Sequence, residues 1–159
     1  MEPTTLRWML DLAKGQFDNT LSVFSEADSG WQPDATSLTV AQQVAHVAQA
    51  NEWFHHGLTL GFEAPFDSSK AGDAREVSAF TSLREARTWH DKAHAKLVML
   101  VSGPSGLWSE TFPAKPRFVD KPKWTALIGL VDHCAHHRGM LQAYARQMGK
   151  TNAPSLPYR

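Results

Sequence analysis

Three of the eight histidines of this 159-residue chain fall within the run DHCAHHRG at residues 132–139. His133 and His137 are four residues apart, so on a helix they lie one turn apart on the same face. Two imidazoles in this arrangement can bind one divalent metal ion, and catalytic zinc sites use three protein ligands with a fourth position open. The spacing therefore predicts a metal site that takes its third ligand from another helix.

His46 is the best candidate for the third ligand. It flanks the apolar stripe of a second helical segment, as His133 flanks the stripe of its own segment. His136 is adjacent to His137 and is rotated by about 100° towards the outside of the helix. We therefore expect His136 to support the site rather than bind the metal.

Other polar residues near these stripes leave alternatives open. His90 and His94 form a second pair with four-residue spacing, and they lie nearer the centre of their apolar stripe. They can be ligands, supporting partners of ligands, or polar residues satisfied by neighbouring helices. Cys134 can bind zinc, but its place in the middle of the stripe favours a small buried residue. Arg138 lies on the inner side of its helix, where a charge requires a carboxylate partner or an anionic substrate.

Four amphipathic helical segments must position these residues. In each, apolar residues recur every three or four positions, the period of a helix with one buried face. We expect the helices at about 4–26, 39–61, 82–101 and 124–148.

Local signals mark the ends of these helices. The spacing of Thr39 with Gln42, and of Ser82 with Glu85, predicts capping boxes at the start of the second and third helices. Gly61 is expected to end the second helix, and Gly149 the fourth.

Two long connections, at 61–80 and 102–123, separate the second helix from the third and the third from the fourth. Long loops in a compact domain are often functional or cross the molecule. Within them, residues 107–112 are expected to form a short strand, and the tail at 153–158 is expected to be extended. Four helices of about 20 residues predict an all-α four-helix bundle in a single domain, 1–159, with metal ligands projecting inward.

The composition narrows the class of partner. The 16 basic and 16 acidic residues give a formal net charge of zero, which favours neither nucleic acid nor an anionic membrane as a partner. A lone cysteine, Cys134, excludes an internal disulfide and fits a reducing compartment. No apolar run approaches the length of a membrane span, and the N-terminus lacks the pattern of a signal peptide. We therefore expect a cytoplasmic protein.

The chain resembles the DinB-like (DinB/YfiT-like) superfamily of metalloenzymes. The residues that carry the resemblance are VAHVA at 44–48 with the following Glu52-Trp53, Trp124 at the start of the last helix, and HCAHHRG at 133–139. The resemblance spans nearly the whole chain, and its most specific part is the run HHRG. The family often has glutamine after that glycine, where this chain has Met140.

The resemblance implies an up-down-down-up bundle and a divalent metal, with zinc or nickel favoured, held by His46, His133 and His137. His90 and His94 match no ligand position of the family. The resemblance also implies a homodimer and a reaction that uses a low-molecular-weight thiol as cosubstrate.

The leading functional hypothesis is a metal-dependent thiol S-transferase or isomerase that acts on a small-molecule substrate. The alternative is a metal-binding stress or scavenging protein without catalysis, and a third possibility is a metal-free bundle with structural histidines. No residue stands out as a general base, so the catalytic residues are unknown. Glu52, His136 and Arg138 are candidates for groups that support the site or bind substrate.

Overall fold

Helices account for nearly all the regular structure in the described part of the chain. The computed structural model describes residues 1–62, 74–112, 118 and 120–150. In these ranges the α-helices are α1 (Pro3–Leu21), α2 (Val40–Leu60), α3 (Ala74–Ser78), α4 (Leu83–Val101) and α5 (Trp124–Gln147). The predicted all-α class is confirmed. The predicted extended tail lies outside the described residues.

The start and end of α2 follow the predicted signals. The side chain of Thr39 accepts a hydrogen bond from the backbone N–H of Gln42 (3.2 Å), and the Gln42 side chain accepts one from the Thr39 N–H (3.0 Å). Gly61 ends the helix with φ of 92°, a backbone conformation that costs glycine little. At α4 the structure shows the first half of the predicted box, in which Ser82 accepts from the N–H of Glu85 (3.2 Å).

The first helix ends earlier than predicted, at Leu21 rather than at 26. A 3₁₀ turn at Glu26–Asp28 follows, and the Asp28 carboxylate accepts from the backbone N–H (2.6 Å) and the hydroxyl (2.9 Å) of Ser25. Serine and aspartate side chains offer the backbone such local hydrogen bonds in competition with a helix. Those bonds stop the periodic apolar pattern from continuing as helix.

The predicted strand at 107–112 is wrong. The chain forms a 3₁₀ helix at Ser105–Ser109 and then a single antiparallel bridge between Thr111 and Pro122. Pro104 and Gly106 favour a turn at this point, and the turn buries the Trp108 side chain completely. The predicted connection 61–80 also contains α3, which is too short to show a helical period in the sequence.

The four long helices share one apolar core. α1 packs against α4 and α5, and α2 packs against the same two helices. The buried residues of α5 are Ala126, Leu127, Leu130, Cys134, His137, Leu141, Tyr144 and Ala145. The packing of α2 on α5 therefore places the inner face of α2 opposite the histidine-rich run. No helix in the described ranges has both the length and the apolar character needed to cross a membrane.

Candidate metal centre

His46 of α2 and His133 and His137 of α5 lie together. Each offers a ring nitrogen, and these three atoms all lie within 4.8 Å of one another. The ring centroids are 4.5 Å apart for His133 and His137, 4.7 Å for His46 and His137, and 5.1 Å for His46 and His133. The structure thus brings together the three histidines that the sequence singled out.

Burial keeps these imidazoles neutral. Desolvation is the largest cause that lowers the pKa of His133 to about 4 and that of His137 to about 3, and neighbouring histidines lower both further. Desolvation also lowers the pKa of His46, against the opposing effect of a hydrogen bond with the Gln49 side chain. A neutral imidazole has a free lone pair, which is the form that binds a metal ion. The three side chains are therefore ready to act as ligands near neutral pH.

Two of the three histidines are held by glutamines of α2. The Nδ1 atom of His137 lies 2.6 Å from Oε1 of Gln43, whose amide nitrogen donates to the hydroxyl of Tyr144 (3.0 Å). His46 is hydrogen-bonded to Gln49, whose amide nitrogen donates to a carboxylate oxygen of Glu76 in α3 (3.3 Å). Histidine ligands of metals use such partners to fix the orientation of the ring.

The sequence interpretation missed these two glutamines. A signal was present, since Gln43, His46 and Gln49 recur every three residues and so share one side of α2. Tyr144 carried a weaker signal, because a tyrosine on an apolar stripe usually needs a partner for its hydroxyl group.

The third histidine has an unsatisfied ring nitrogen. Nε2 of His133 is buried and has no hydrogen-bond partner among the described residues. A buried polar atom without a partner costs roughly 1–3 kcal/mol. A metal ion bound by the three imidazoles would satisfy this atom, so the donor set fits a divalent cation.

The candidate supporting groups lie in different surroundings. His136 is exposed, and its ring meets that of His137 edge-on at 4.9 Å. Glu52 forms an ion pair with Lys96 of α4 (2.9 Å). Arg138 lines a surface cavity of about 90 Å³ between α1 and α5, and no carboxylate in the described ranges lies within ion-pair distance of it. The predicted carboxylate partner of Arg138 is therefore not found in that part of the chain.

Cys134 is a buried thiol. Its Sγ atom donates to Oδ1 of Asn51 at 3.9 Å, and it is not among the three grouped ligand atoms. Burial raises the pKa of this thiol to about 12, although the positive charge of Arg138 acts in the opposite direction. Near neutral pH the side chain is protonated, as expected for a small residue of the apolar stripe.

His90 and His94 line one small cavity, but in the described part of the chain they do not belong to one group of possible metal ligands. His90 is buried with its ring 4.9 Å from that of Phe17, whereas Nε2 of His94 lies 3.4 Å from a carboxylate oxygen of Asp11.

A nitrogen of His90 does lie within 4.8 Å of carboxylate oxygens of Asp18 and Asp91. The ammonium group of Lys14 contacts these same two carboxylates, at 2.5 Å and 2.7 Å. One lysine therefore offsets one of the two negative charges of this second group.

Comparison with known proteins gives one finding. The family model of the DinB superfamily matches residues 9–141, a span that includes all three grouped histidines. No curated protein and no solved structure matches the chain.

Proposed function

The chain belongs to the DinB superfamily, and on that premise we propose that His46, His133 and His137 bind one divalent metal ion, with zinc or nickel favoured. The observation that carries the proposal is the convergence of three imidazoles, one with a buried nitrogen that has no hydrogen-bond partner among the described residues. Three neutral imidazoles suit zinc, nickel, copper or iron. A divalent ion held by three histidines lowers the pKa of a thiol or water bound in its open position.

We further propose that the protein is a thiol-dependent S-transferase or isomerase that uses a low-molecular-weight thiol and a small-molecule substrate. The resemblance to the family supports this activity. The chain supplies a second argument: its single cysteine, Cys134, is buried and protonated near neutral pH. A thiol-dependent reaction would therefore take its thiol from a cosubstrate rather than from this chain.

We also propose the up-down-down-up bundle of the family. Helices α1 and α4 are antiparallel, because Lys14 pairs with Asp91 whereas the earlier Asp11 pairs with the later His94. Helices α2 and α5 are antiparallel too, because Gln43 bonds Tyr144 whereas the later Asn51 bonds the earlier Cys134. These pairings are the ones that the proposed topology requires.

The family resemblance supports a homodimer, and the lone cysteine suits a cytoplasmic protein. Light scattering coupled to size-exclusion chromatography measures the mass in solution. A mass near 35 kDa, twice that of the 17.7-kDa chain, is expected.

Metal analysis tests the proposed centre. The purified protein should bind about one divalent ion per chain, and the double variant His133→Ala, His137→Ala should bind almost none, because only one ligand remains. The matched control is His94→Ala, which removes a histidine of the other pair and should leave the stoichiometry unchanged. Full stoichiometry in the double variant, with loss in the His94 variant, would show that the wrong histidines were chosen.

A screen of low-molecular-weight thiols with a chromogenic electrophile tests the activity. The proposal expects turnover with at least one thiol, and loss of turnover after the metal is removed with a chelator. Metal binding without turnover for any thiol would instead support the alternative, a metal-binding stress or scavenging protein.

A further inference from the structure

We propose that Gln43 and Tyr144 are positioning residues that fix the tautomer of His137, so that its Nε2 atom is left as a bare lone pair for the metal. The inference rests on the proposed metal centre for its functional meaning. It rests for its chemistry on a hydrogen-bonded chain that runs from His137 through Gln43 and Tyr144 to the backbone carbonyl of Leu38.

The donor-to-acceptor direction of these hydrogen bonds is set by the backbone carbonyl of Leu38. A carbonyl oxygen can only accept, so the Tyr144 hydroxyl, 2.9 Å away, donates its single proton to Leu38. The Tyr144 oxygen is then an acceptor for the amide group of Gln43, 3.0 Å away.

The same logic continues to the histidine. With its NH₂ group directed to Tyr144, Gln43 presents its carbonyl oxygen to His137 at 2.6 Å. A carbonyl oxygen has no proton to give, so Nδ1 of His137 must carry the hydrogen. In a neutral imidazole the other nitrogen, Nε2, is then unprotonated and can bind a metal.

The opposite orientation of the Gln43 amide is unfavourable. It would turn the amide oxygen towards Tyr144, which would then use its proton on Gln43. The Tyr144 oxygen and the Leu38 carbonyl would face each other at 2.9 Å with no proton between them. That leaves an acceptor without a donor, at a cost of roughly 1–3 kcal/mol.

Burial makes the chain of bonds rigid. Gln43 is 3% exposed and Tyr144 is 1% exposed, so water does not readily replace either partner. The ring of Trp31 packs edge-on against Tyr144 with a centroid distance of 5.2 Å, which holds the phenol in place. The tautomer of His137 is therefore set before any metal binds.

Two substitutions at one position separate positioning from packing. Gln43→Leu keeps the volume but removes the acceptor, and it should weaken metal affinity by about 10–100-fold. Gln43→Glu restores an acceptor for the Nδ1 hydrogen and should keep affinity within about tenfold of the parent. If Gln43 only fills space, the order reverses, because the core accepts leucine better than a buried carboxylate.

The matched control is Gln142→Leu. It removes an amide from α5 two residues before Tyr144, and that amide contacts Thr20 rather than the histidines. The metal affinity of this variant should equal that of the parent. Tyr144→Phe keeps the ring and removes only the hydroxyl, and it should show a smaller loss than Gln43→Leu because the Gln43 acceptor remains.

Long-range ¹H–¹⁵N spectra of the metal-free protein give a readout that does not need the metal. The parent should show His137 protonated at Nδ1, and Gln43→Leu should shift His137 towards the other tautomer. Protonation at Nε2 in the parent, or equal affinities for the Leu and Glu variants, would overturn the inference. Failure of the parent to bind metal would overturn the proposed function, whereas the spectra would still decide the tautomer.

Discussion

Histidines of this protein differ chiefly in what surrounds each ring. His46, His133 and His137 share one site and have lowered pKa values because burial disfavours the charged imidazole. His90 is more deeply buried than these three and stands against Phe17, away from that site. The same residue type therefore serves two purposes, which the surroundings decide.

The buried His90 should make the metal-free protein sensitive to acid. Desolvation, followed by the positive charge of Lys14, lowers its folded-state pKa to about 3, whereas an unfolded histidine titrates near 6.5. Between these values the unfolded chain binds the proton and the folded chain does not. The free energy of unfolding should therefore fall as the pH drops from about 6.5 towards 3, by up to about 1.4 kcal/mol per pH unit for this group.

Urea unfolding in the presence of a chelator measures this effect. The variant His90→Gln has no titrating group at this position, so its stability should fall less steeply with acid than that of the parent. The comparison uses the slope of the free energy of unfolding against pH, because the substitution also changes the absolute stability. Equal slopes for the two proteins would contradict the prediction.

Helix α2 is the element that organises the site. It contributes His46, one of the three proposed ligands, and it also contributes Gln43 and Gln49, the hydrogen-bond partners of two of these histidines. Their three-residue spacing places them on one side of α2 only if the helix is regular along this stretch. The short helix α3 extends the arrangement, since Glu76 bonds Gln49 and the backbone oxygen of Ser78 accepts from Gln42.

The cap of α2 should contribute measurably to stability. Thr39→Ala removes the acceptor of the Gln42 N–H and should lower the free energy of unfolding by about 1 kcal/mol. Thr39→Ser keeps a hydroxyl group and should cost less. Chemical denaturation of the two metal-free variants gives the comparison, and an equal loss in both would mean that the hydroxyl group is not the source.

At the scale of the whole molecule, the three proposed ligands come from two helices that are far apart in the chain. α2 packs against both α4 and α5, and α1 packs against the same two helices. This shared core holds α2 and α5 at the separation that the three rings require. The geometry of the proposed metal centre therefore depends on packing well away from the histidines.

Core and surface positions on α5 should respond very differently to truncation. Leu130 is 1% exposed, and Leu130→Ala should lower the free energy of unfolding by about 2–5 kcal/mol through lost burial and a residual cavity. Ile128, two residues earlier, is 48% exposed, and Ile128→Ala should change stability by roughly 0.5 kcal/mol or less. Thermal or denaturant unfolding checks both, and similar losses would contradict the assignment of Leu130 to the core.

The sequence by itself determined the long helices and the three candidate ligands. Periodic apolar residues and caps such as Thr39 act within a few positions, and the four-residue spacing of His133 and His137 is a local property of one helix. The end of α1 and the turn at 105–109 were mispredicted, because short side-chain hydrogen bonds and the burial of Trp108 outweighed the local pattern.

Only the tertiary structure decided which polar residues complete the site. Gln43 and Tyr144 are 101 positions apart in the chain, and their hydrogen bond forms because α2 packs on α5. The same packing leaves Nε2 of His133 buried without a hydrogen-bond partner in the part of the chain that the structure describes. The packing of α1 on α4 places His90 against Phe17. Local spacing defines the face of one helix, whereas the orientation of a ligand depends on contacts between residues distant in sequence.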